Sequence, residues 1–400
     1  MSDATPTLTD DQRRAVRIAL TERLAIVTGG PGSGKTTTMR TVADELARRR
    51  RRILLLAPTG KAAARLAQQT GRPASTVHRA IGWTPAGRPL HDGNDPVDCD
   101  GAIVDESSMV DSLLLARLVA ALPEHASLLL VGDDAQLPPV GPGAPFRDLL
   151  ASGAVPAVRL SAIFRQGKGS PVADAARAIL RGEAPADGRN DAGAFKWIAA
   201  PEHEVVGRVA KLVAESIPRA FGVTGDDAIQ VLCPGREGDV SVASLNDRLL
   251  SIFNPRAAKR PARLCAGDKV INTKNDYEIG VFNGEIGRVL AAAHDAATVQ
   301  FPDRVVPFDG RERVNALMRA WCLTVHRSQG SEYPVVVVAL SERHRRLLSR
   351  RLLYTAVTRA SLACIVVSSP RARDLALAER GDVARETSLG ARLAALRGNP

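Results

Sequence analysis

The sequence is poor in the residues that build disulfide frameworks, zinc sites and membrane spans. Its five cysteines lie far apart without a CxxC pair, and its seven histidines show no metal-ligand spacing. No apolar run approaches the roughly 18 residues of a membrane span, and the N-terminus lacks the apolar segment of a signal peptide. We therefore expect reduced cysteines, no structural metal, no membrane association and a cytoplasmic protein.

Aromatic residues are also scarce, whereas basic residues are abundant. Phe, Trp and Tyr make up 4% of the chain, and 54 basic residues against 43 acidic ones give a formal net charge of +11. A charge of this sign indicates a polyanionic partner such as nucleic acid, although solubility or codon bias could also raise the arginine content. Any stacking on nucleic-acid bases would have to depend on few rings.

The pattern of apolar runs indicates more than one domain. The 400 residues exceed what one hydrophobic core usually spans, and a hydrophobic fraction of 45% is ample for globular folding. From Leu24 onward, short apolar runs alternate with helical patterns, which is typical of a parallel sheet covered by helices. A second series of this kind follows Gly153. We predict an α/β protein with two tandem domains, residues 1–153 and 154–400.

Two stretches interrupt this alternation. Residues 83–100 are rich in proline, glycine and aspartate, which is typical of an exposed hairpin or loop. Residues from about 274 to 316 contain short strand-like runs separated by turns, the pattern of a small antiparallel barrel. We predict that each stretch is an insertion into its α/β domain.

The segment GGPGSGKT, Gly29 to Thr36, matches the pattern G-x-x-x-x-G-K-[ST] between an apolar run and a helical pattern. In such a loop the backbone N–H groups face phosphates, the lysine reaches the β- and γ-phosphates, and the final hydroxyl ligates Mg²⁺. ATP and Mg²⁺ are therefore the expected cofactors. The predicted nucleotide-binding residues of the loop are Gly30, Pro31, Gly32, Ser33, Gly34, Lys35, Thr36 and Thr37.

Two later strand ends also carry polar side chains. Asp105 and Glu106 follow an apolar run, and nucleoside triphosphate hydrolysis needs one carboxylate near Mg²⁺ and another to orient or deprotonate water. We assign the first role to Asp105, together with Thr36, and the second to Glu106; a solvated acidic turn is the alternative. Gln136, after the next strand, would lie beside them and sense the γ-phosphate.

These segments belong to a longer series of motifs. Together with TLTDDQRRAV, LAPTGKAAARL, STVHRAIG, RLSAIFRQ, GDKVINTKNDYEIGVFNGEIG, TVHRSQGSE and LLYTAVTRA, they resemble in order and spacing the motifs of superfamily 1 DNA helicases, most closely the RecD-like branch of superfamily 1B. The resemblance extends from about Leu8 to Ser368. It implies two RecA-like P-loop motor domains, with a short pin at 83–100 and an SH3-like barrel at 274–316.

The resemblance also implies roles for individual residues. Arg165 and Arg359, from the second domain, would act on the γ-phosphate and join Lys35, Glu106 and Gln136 as catalytic residues. Gln12 would contact adenine, and Gly330 and Glu332 would face the nucleotide. The residues implied in DNA binding are Pro58, Thr59, Lys61, Thr76, His78, Asn275, Tyr277, Thr324 and His326.

Three functions remain open at this stage. The first is a monomeric, nucleoid-associated motor that hydrolyses ATP, moves 5′ to 3′ on single-stranded DNA and unwinds junctions with duplex DNA. The second is a translocating or remodelling ATPase without unwinding, which the short pin would suit. The third is a DNA-stimulated ATPase subunit of a larger repair, recombination or conjugation complex. The sequence does not identify the protein partners in such pathways.

Overall fold

Short aliphatic runs form two largely parallel sheets, each in its own unit of the chain. The computed structural model describes residues 8–84, 88–161, 169–191, 193–223, 225–259, 263–276, 278–379 and 387–398. Residues 8–161 and 387–398 belong to a first unit, and residues 169–379 belong to a second. The α/β architecture predicted from the sequence is therefore confirmed.

The first unit is built on a six-stranded parallel sheet with the spatial order β3-β2-β4-β5-β1-β6. Most residues of β1, β4 and β5 are buried, which explains why these strands read as continuous apolar runs. Its strands are β1 (Leu24–Thr28), β2 (Ile53–Ala57), β3 (Ser75–Thr76), β4 (Gly101–Val104), β5 (Ser127–Gly132) and β6 (Ala157–Arg159).

Helices cover both faces of this sheet. Val27 of β1 packs in a cluster with Met39, whereas the adjacent Ile26 packs in a second cluster with Phe146, because alternate residues of a strand point to opposite faces. The helices are α1 (Asp10–Thr21), α2 (Lys35–Arg48), α3 (Gly60–Thr70), α4 (Val77–Ala80), α5 (Ser112–Ala121) and α6 (Pro145–Ser152).

The second unit contains a six-stranded sheet with the order β15-β9-β16-β17-β8-β7, parallel except for the β7–β8 hairpin. Its helices are α7 (Pro171–Arg181), α8 (Val205–Lys211), α9 (Ile217–Phe221), α10 (Val242–Phe253), α11 (Arg311–Asn315), α12 (Arg350–Val357) and α13 (Pro370–Ala378). Strands β7 to β17 are Gly188–Asn190, Gly193–Ala199, Ile229–Cys233, Lys269–Asn272, Ile286–Ala292, Ala296–Gln300, Val305–Asp309, Leu317–Arg319, Cys322–Thr324, Tyr333–Ala339 and Ala360–Ser368.

Strands β10 to β14 form a separate five-stranded antiparallel sheet within this unit. Its core contains Val289, Val299 and Phe308 from β11, β12 and β13, together with Phe301, which directly follows β12. The predicted barrel is therefore present. Its limits are wider than the predicted 274–316, because β10 lies before that range and β14 lies after it.

Asp226 joins the antiparallel sheet to the parallel sheet of the same unit. Its carboxylate accepts hydrogen bonds from Trp321 Nε1 at 2.5 Å and from the Arg288 guanidinium, and its carbonyl oxygen accepts one from Lys269 Nζ at 2.8 Å. Lys269 and Arg288 belong to β10 and β11, whereas Trp321 directly precedes β15. The small sheet is thus attached to the larger one by a mostly buried network.

The first unit extends beyond the range predicted for it. Val158 of β6 pairs with Val27, so the first sheet continues past residue 153. Near the end of the chain, helix α14 (Leu389–Gly398) packs against α6, and the Thr387 hydroxyl donates to the Asp148 carboxylate at 2.7 Å. Residues 387–398 therefore belong to the first unit, whereas the sequence assigned 154–400 to the second.

The segment predicted as a pin connects α4 to β4. Residues 85–87 lie outside the described residues, and the described part of 83–100 contains no helix or strand. Leu90 N donates to the carbonyls of Ile81 and Gly82, and Val97 N donates to that of Ala121. The segment is thus a loop held on α4 and α5. Across the described residues, no helix combines the length and apolar character needed to cross a membrane.

Candidate nucleotide and nucleic-acid sites

The loop after β1 leads directly into α2. Gly32 and Gly34 have φ values of 72° and 86°, a left-handed conformation that glycine adopts without steric cost. Gly34 is the N-cap residue and has no side chain to cap the helix, so the first N–H groups of α2 are available to an anion. Lys35 Nζ donates to the carbonyls of Gly29 at 2.6 Å and Gly30 at 2.9 Å. The predicted residues 30–37 therefore surround a helix N-terminus.

Two hydroxyl groups of this loop suit a magnesium nucleotide. Ser33 is 2% exposed, and its Oγ has no hydrogen-bond partner within the described part of the chain. Such a buried hydroxyl needs an acceptor, which a phosphate oxygen can supply. Thr36 Oγ1 donates to Gln69 Oε1 at 3.3 Å, so a side chain of α3 reaches the predicted metal ligand.

Asp105 and Glu106 directly follow β4 in the same sheet. Burial, and next the neighbouring Glu106 carboxylate, raise the pKa of Asp105 to about 6, although the Glu106 N–H and Lys35 act in the opposite direction. Glu106 has φ 51° and is one of two non-glycine residues with positive φ in the described ranges, the other being Arg50. Strained backbone of this kind is concentrated at functional sites.

The end of β5 holds Gln136 in a buried position. Gln136 Nε2 donates to Asp133 Oδ2 at 3.3 Å, and Asp133 Oδ1 accepts from Ala135 N at 3.0 Å. The adjacent Asp134 accepts from Thr28 Oγ1 at 2.7 Å and from both terminal nitrogens of Arg159 at 2.9 Å. Sequence reasoning missed both aspartates, although the acidic pair preceding Gln136 was a visible signal.

Gln12 contacts the phosphate loop from α1. Its Nε2 donates to the Gly34 carbonyl at 3.4 Å, and its Oε1 accepts from Thr9 N at 3.0 Å. Thr9 Oγ1 in turn accepts from Gln12 N at 3.3 Å, which completes a capping box at the start of α1. The structure therefore shows a helix-capping role for Gln12 and places it beside the loop where the nucleotide role was predicted.

The predicted DNA-binding residues of the first unit follow β2 and β3. Thr59 and Thr76 are N-cap residues whose hydroxyl oxygens accept from Ala62 N at 3.2 Å and Arg79 N at 3.1 Å. The His78 ring meets the Trp83 ring edge-on at 5.2 Å, and burial lowers the pKa of His78 against an opposing effect of Asp111.

Two groups of predicted site residues thus lie along one edge of the first sheet. In the order β3-β2-β4-β5-β1, the ends of β3 and β2 hold the predicted DNA contacts, and the ends of the other three strands hold the predicted ATP contacts. The DNA group consists of Pro58, Thr59, Lys61, Thr76 and His78.

In the second unit, Thr324 ends β15, and His326 and Arg327 lie in the loop that follows it. Thr324 Oγ1 accepts from Arg327 N at 3.3 Å, and His326 begins a short 3-10 turn. Burial, and next the charge of Arg236, lower the pKa of both His326 and Arg327. Arg236 lies in the loop after the neighbouring strand β9, and sequence reasoning missed it because only tertiary structure brings the two loops together.

Arg359 is 3% exposed and is held within its own unit by three oxygen atoms. Nε donates to the Thr355 carbonyl at 3.1 Å, Nη1 to the Ser331 carbonyl at 3.2 Å and Nη2 to Thr358 Oγ1 at 3.4 Å. Ser331 lies between Gly330 and Glu332, so the structure brings Arg359 next to the two predicted nucleotide-facing residues of this unit.

One predicted residue of the second unit lies apart from these groups. Asn275 is exposed on the small sheet, where its Oδ1 accepts from Asn283 N at 2.9 Å. Arg165 and Tyr277 lie outside the described residues.

Three family descriptions match the chain. Residues 7–200 match an AAA domain, residues 245–301 match an ATP-dependent RecD-like DNA helicase SH3 domain, and residues 319–367 match a UvrD-like helicase C-terminal domain. The SH3 match includes most of α10 and strands β10, β11 and β12.

Several curated proteins are similar over nearly the whole chain. The ATP-dependent RecD2 DNA helicase of Deinococcus radiodurans is 42% identical over 396 residues, which cover 97% of this chain and 53% of that protein. The RecBCD enzyme subunit RecD of Mycobacterium tuberculosis is 34% identical over 417 residues, which cover 94% of this chain and 72% of that protein. The chain thus spans about half the length of the first relative.

Solved structures show the same fold. A Pif1 helicase from Bacteroides, crystallised with ADP-AlF3 and single-stranded DNA, matches with a TM-score of 0.58 and 19% identity over 98% of both chains. The Pif1 helicase of Candida albicans matches with a TM-score of 0.56 and 19% identity over 98% of this chain and all of that one. The 34% identity to the mycobacterial RecD protein, over 72% of that protein, shows that the chain belongs to the RecD-like family of DNA helicases.

Proposed function

We propose that this chain hydrolyses ATP to move 5′ to 3′ along single-stranded DNA and to unwind duplex DNA at single-strand junctions. One observation supports this most strongly: the ends of β1, β5 and β4 are adjacent, and they hold Lys35, Gln136 and the pair Asp105 and Glu106. A cation, an amide and two carboxylates at one edge suit phosphoryl transfer to water.

The residues of this edge have distinct roles in the proposal. Lys35 and the N–H groups of α2 bind the phosphates, Gln136 responds to the γ-phosphate, and Glu106 orients water and accepts its proton. Thr36 and Asp105 would hold Mg²⁺, since it prefers oxygen ligands, and the bound ion would neutralise phosphate charge. Gln12 contacts adenine. Arg165, Arg359, Gly330 and Glu332 complete the proposed nucleotide contacts.

Single-stranded DNA binds through groups that contact the phosphate backbone. The hydroxyl, imidazole, amide and ammonium groups involved donate hydrogen bonds without selecting a base, so binding is sensitive to salt and tolerant of sequence. The contacts are Pro58, Thr59, Lys61, Thr76 and His78 in the first unit and Asn275, Thr324 and His326 in the second.

A second candidate function follows from the mycobacterial relative, which is named as a subunit of the RecBCD enzyme. In that case this chain would be a DNA-stimulated ATPase subunit of a repair or recombination complex, and it would unwind DNA weakly without partners. Unwinding by the purified chain alone separates the two candidates.

Strand displacement on matched 5′-tailed and 3′-tailed duplexes tests the proposal, with DNA-stimulated ATP hydrolysis measured in parallel. We expect unwinding of the 5′-tailed duplex, and we expect Lys35→Ala to abolish hydrolysis while single-stranded DNA binding survives. Preference for a 3′ tail would contradict the polarity. ATP hydrolysis without unwinding of either duplex would favour the subunit function.

A further inference from the structure

Helix α3 leads from the predicted DNA contacts of the first unit to its predicted magnesium site. It begins directly after Pro58 and Thr59, and the Thr59 hydroxyl caps its N-terminus by accepting from Ala62 N at 3.2 Å. Its last turn contains Gln69, whose Oε1 accepts a hydrogen bond from Thr36 Oγ1 at 3.3 Å. One helix therefore contacts both groups of predicted site residues in this unit.

Three polar side chains follow one side of α3 between these two places. Lys61, Arg65 and Gln69 are spaced four residues apart, so they lie on the same side of the helix, and each is half-buried. At 1.5 Å per residue, Lys61 and Gln69 are about 12 Å apart along the helix axis. This row of side chains thus runs from a predicted DNA contact to a side chain that touches a predicted metal ligand.

The middle residue of the row acts on the other predicted metal ligand. Burial, and next the Glu106 carboxylate, raise the pKa of Asp105, and the charge of Arg65 is among the groups that act in the opposite direction. Arg65 therefore lies close enough to Asp105 to favour the ionised carboxylate, which is the form that binds Mg²⁺. Both predicted ligands of the metal are thus influenced by α3.

The contact between Gln69 and Thr36 determines where the Thr36 hydroxyl directs its lone pairs. A threonine hydroxyl has one proton and two lone pairs, so donation to Gln69 Oε1 leaves both lone pairs for a metal ion. Loss of a residue that orients a metal ligand in this way typically lowers metal affinity by about 10–100-fold. At 3.3 Å the contact is longer than the roughly 2.5–3.0 Å usual for a hydroxyl donor, so a small movement of α3 would change its strength.

We propose that Gln69 is a positioning residue for Mg²⁺ at Thr36, and that α3 transmits DNA binding at Lys61 to this ligand. A DNA phosphate at the start of the helix strengthens the contact between Gln69 and Thr36 at its end. Bound DNA thereby raises the affinity for magnesium nucleotide, and by linkage magnesium nucleotide raises the affinity for DNA by the same factor. The inference depends on the proposed function and adds a connection between its two ligands within the first unit.

The first test measures binding of a fluorescent ATP analogue over a series of Mg²⁺ concentrations and in EDTA. Gln69→Met removes the acceptor and keeps the length of the side chain. We expect it to raise the Mg²⁺ concentration for half-maximal binding by about tenfold without changing binding in EDTA. Gln69→Glu, which retains an acceptor oxygen, should restore the wild-type Mg²⁺ dependence. Gln68→Met is the matched control, because Gln68 is exposed on the same helix.

Two results of this test would overturn the proposal. One is an unchanged Mg²⁺ dependence in Gln69→Met. The other is an equal loss of binding in EDTA and in Mg²⁺, since it would show that Gln69 only supports the shape of the loop. Thermal unfolding of Gln69→Met should match that of the control, because Leu66 packs in a cluster with Met39 of α2 and Arg72 pairs with Asp44 at 2.7 Å.

The second test measures the effect of DNA on the same Mg²⁺ dependence. Saturating oligothymidine should lower the Mg²⁺ concentration for half-maximal binding by about fivefold or more in the wild-type protein. Gln68→Met should retain this shift and Gln69→Met should largely lose it. Lys61→Gln should reduce the shift without altering the Mg²⁺ dependence measured in the absence of DNA. A full shift in Gln69→Met would overturn transmission through α3.

The inference and the proposed function fail in different ways. If the wild-type protein neither binds single-stranded DNA nor hydrolyses ATP, the proposed function itself fails. If the wild-type protein hydrolyses ATP and unwinds DNA while Gln69→Met matches Gln68→Met in both tests, only this inference fails.

Discussion

Glu106 combines a strained backbone with the side chain proposed to activate water. Its left-handed backbone directs the side chain from the end of β4, and its charge contributes to the raised pKa of Asp105. A left-handed conformation costs a non-glycine residue about 1–2 kcal/mol, so the fold retains this glutamate at the expense of stability.

The role of the Glu106 carboxylate can be tested with a side chain of the same shape. We expect Glu106→Gln to retain ATP binding but to lower turnover by about 10²- to 10⁴-fold, because general-base catalysis is lost while Asp105 and the loop remain. A fluorescent ATP analogue measures binding, and single-turnover hydrolysis measures the chemical step. Loss of binding with normal turnover would show that Asp105 and Glu106 have exchanged roles.

The strain in the Glu106 backbone can be tested by measuring the free energy of unfolding. Glu106→Gly should raise the free energy of unfolding by about 0.5–1 kcal/mol, because relief of the left-handed strain exceeds the entropic cost of glycine. Arg50→Gly is the matched control, since Arg50 has φ 58° and is exposed. Both variants should be stabilised in denaturant titrations, but only Glu106→Gly should lose ATP hydrolysis. Destabilisation of both would show that neither backbone is strained.

At the scale of elements, the loop at 83–100 is attached to the first unit at both ends. The Trp83 ring contacts His78, and Asp98 and Asp100 form ion pairs with Arg52. Leu90 is 66% exposed between these attachments. Replacement of residues 84–97 therefore keeps the Trp83 ring contact and the ion pairs of Asp98 and Asp100, but it removes the backbone hydrogen bonds of Leu90 and Val97.

Replacement of residues 84–97 by a short glycine-serine link tests the proposed pin. DNA-stimulated ATP hydrolysis should persist at a similar rate, because Lys35 and Glu106 are untouched. Unwinding of 5′-tailed duplexes should fall steeply, since no rigid element would couple movement to strand separation. Unimpaired strand displacement by this variant would assign the wedge to another part of the chain.

The Asp226 network is the attachment of the small sheet, and its strength depends on pH. Burial acts to raise the pKa of Asp226, but hydrogen bonds from Arg288 and Trp321 outweigh it and hold the pKa below its usual value. An aspartate with a lowered pKa contributes stability above its unfolded pKa and loses it as the pH falls through the folded pKa.

Asp226→Asn should therefore lower the free energy of unfolding by about 1.5–3 kcal/mol at pH 7, because hydrogen bonds to a charged group are lost. The difference from the wild-type protein should shrink as the pH falls below about 4, the pKa of an unfolded aspartate, and on through the lower folded pKa of Asp226. Denaturant titrations from pH 7 to pH 3 measure this. A difference that does not change with pH would show that the aspartate charge contributes nothing. Asp227→Asn is the control, since Asp227 contacts Arg288 from an exposed position.

At the scale of the whole molecule, part of the positive charge is already neutralised within the fold. Arg288, Arg304, Arg313 and Arg319 each pair with a carboxylate. The net charge of +11 therefore indicates a polyanionic partner, but it does not locate the binding surface. Only tertiary structure shows which basic residues are paired in this way.

The same distinction between local and tertiary information explains what the sequence could predict. The loop at Gly29–Thr36 and the pair Asp105 and Glu106 were predictable, because each depends on a strand and the few residues that follow it. The boundary at 153 was wrong, because β6 has three residues, of which only Val158 is buried, and gives little apolar signal. The sequence could not predict that α14 belongs to the first unit, because this depends on packing against α6, which is far away in sequence.

The same distinction between local and tertiary information applies to individual residues. The resemblance predicted a role for Arg359 from its motif, but the contacts to Ser331 and Thr358 arise from folding. It could not reveal that Arg236 lies near His326. These residues follow strands β9 and β15, which pair in the folded sheet although they are far apart in the chain: Gln230 of β9 and Ala320, just before β15, are 90 residues apart. Spacing along the chain predicts chemistry within a loop and leaves contacts between loops undetermined.

The proposed role of Arg359 in ATP hydrolysis is tested by removing its guanidinium group. Arg359→Ala should lower the hydrolysis rate by about 10³-fold or more with little effect on ATP binding, because a guanidinium that stabilises transferring phosphate acts mainly on the transition state.

Loss of Arg359 also removes the guanidinium donors of the Thr355 and Ser331 carbonyls, although the Thr358 hydroxyl still donates to that of Thr355, so a structural effect must be separated from a catalytic one. Thr358→Val is the control, since it removes the Thr358 hydroxyl contact and leaves the guanidinium in place. We expect thermal unfolding to show similar small losses of stability for both variants and ATP hydrolysis to fall only in Arg359→Ala. If Thr358→Val lost as much activity, or if ATP binding fell as much as turnover, Arg359 would act as a structural or ground-state contact and not on the transition state.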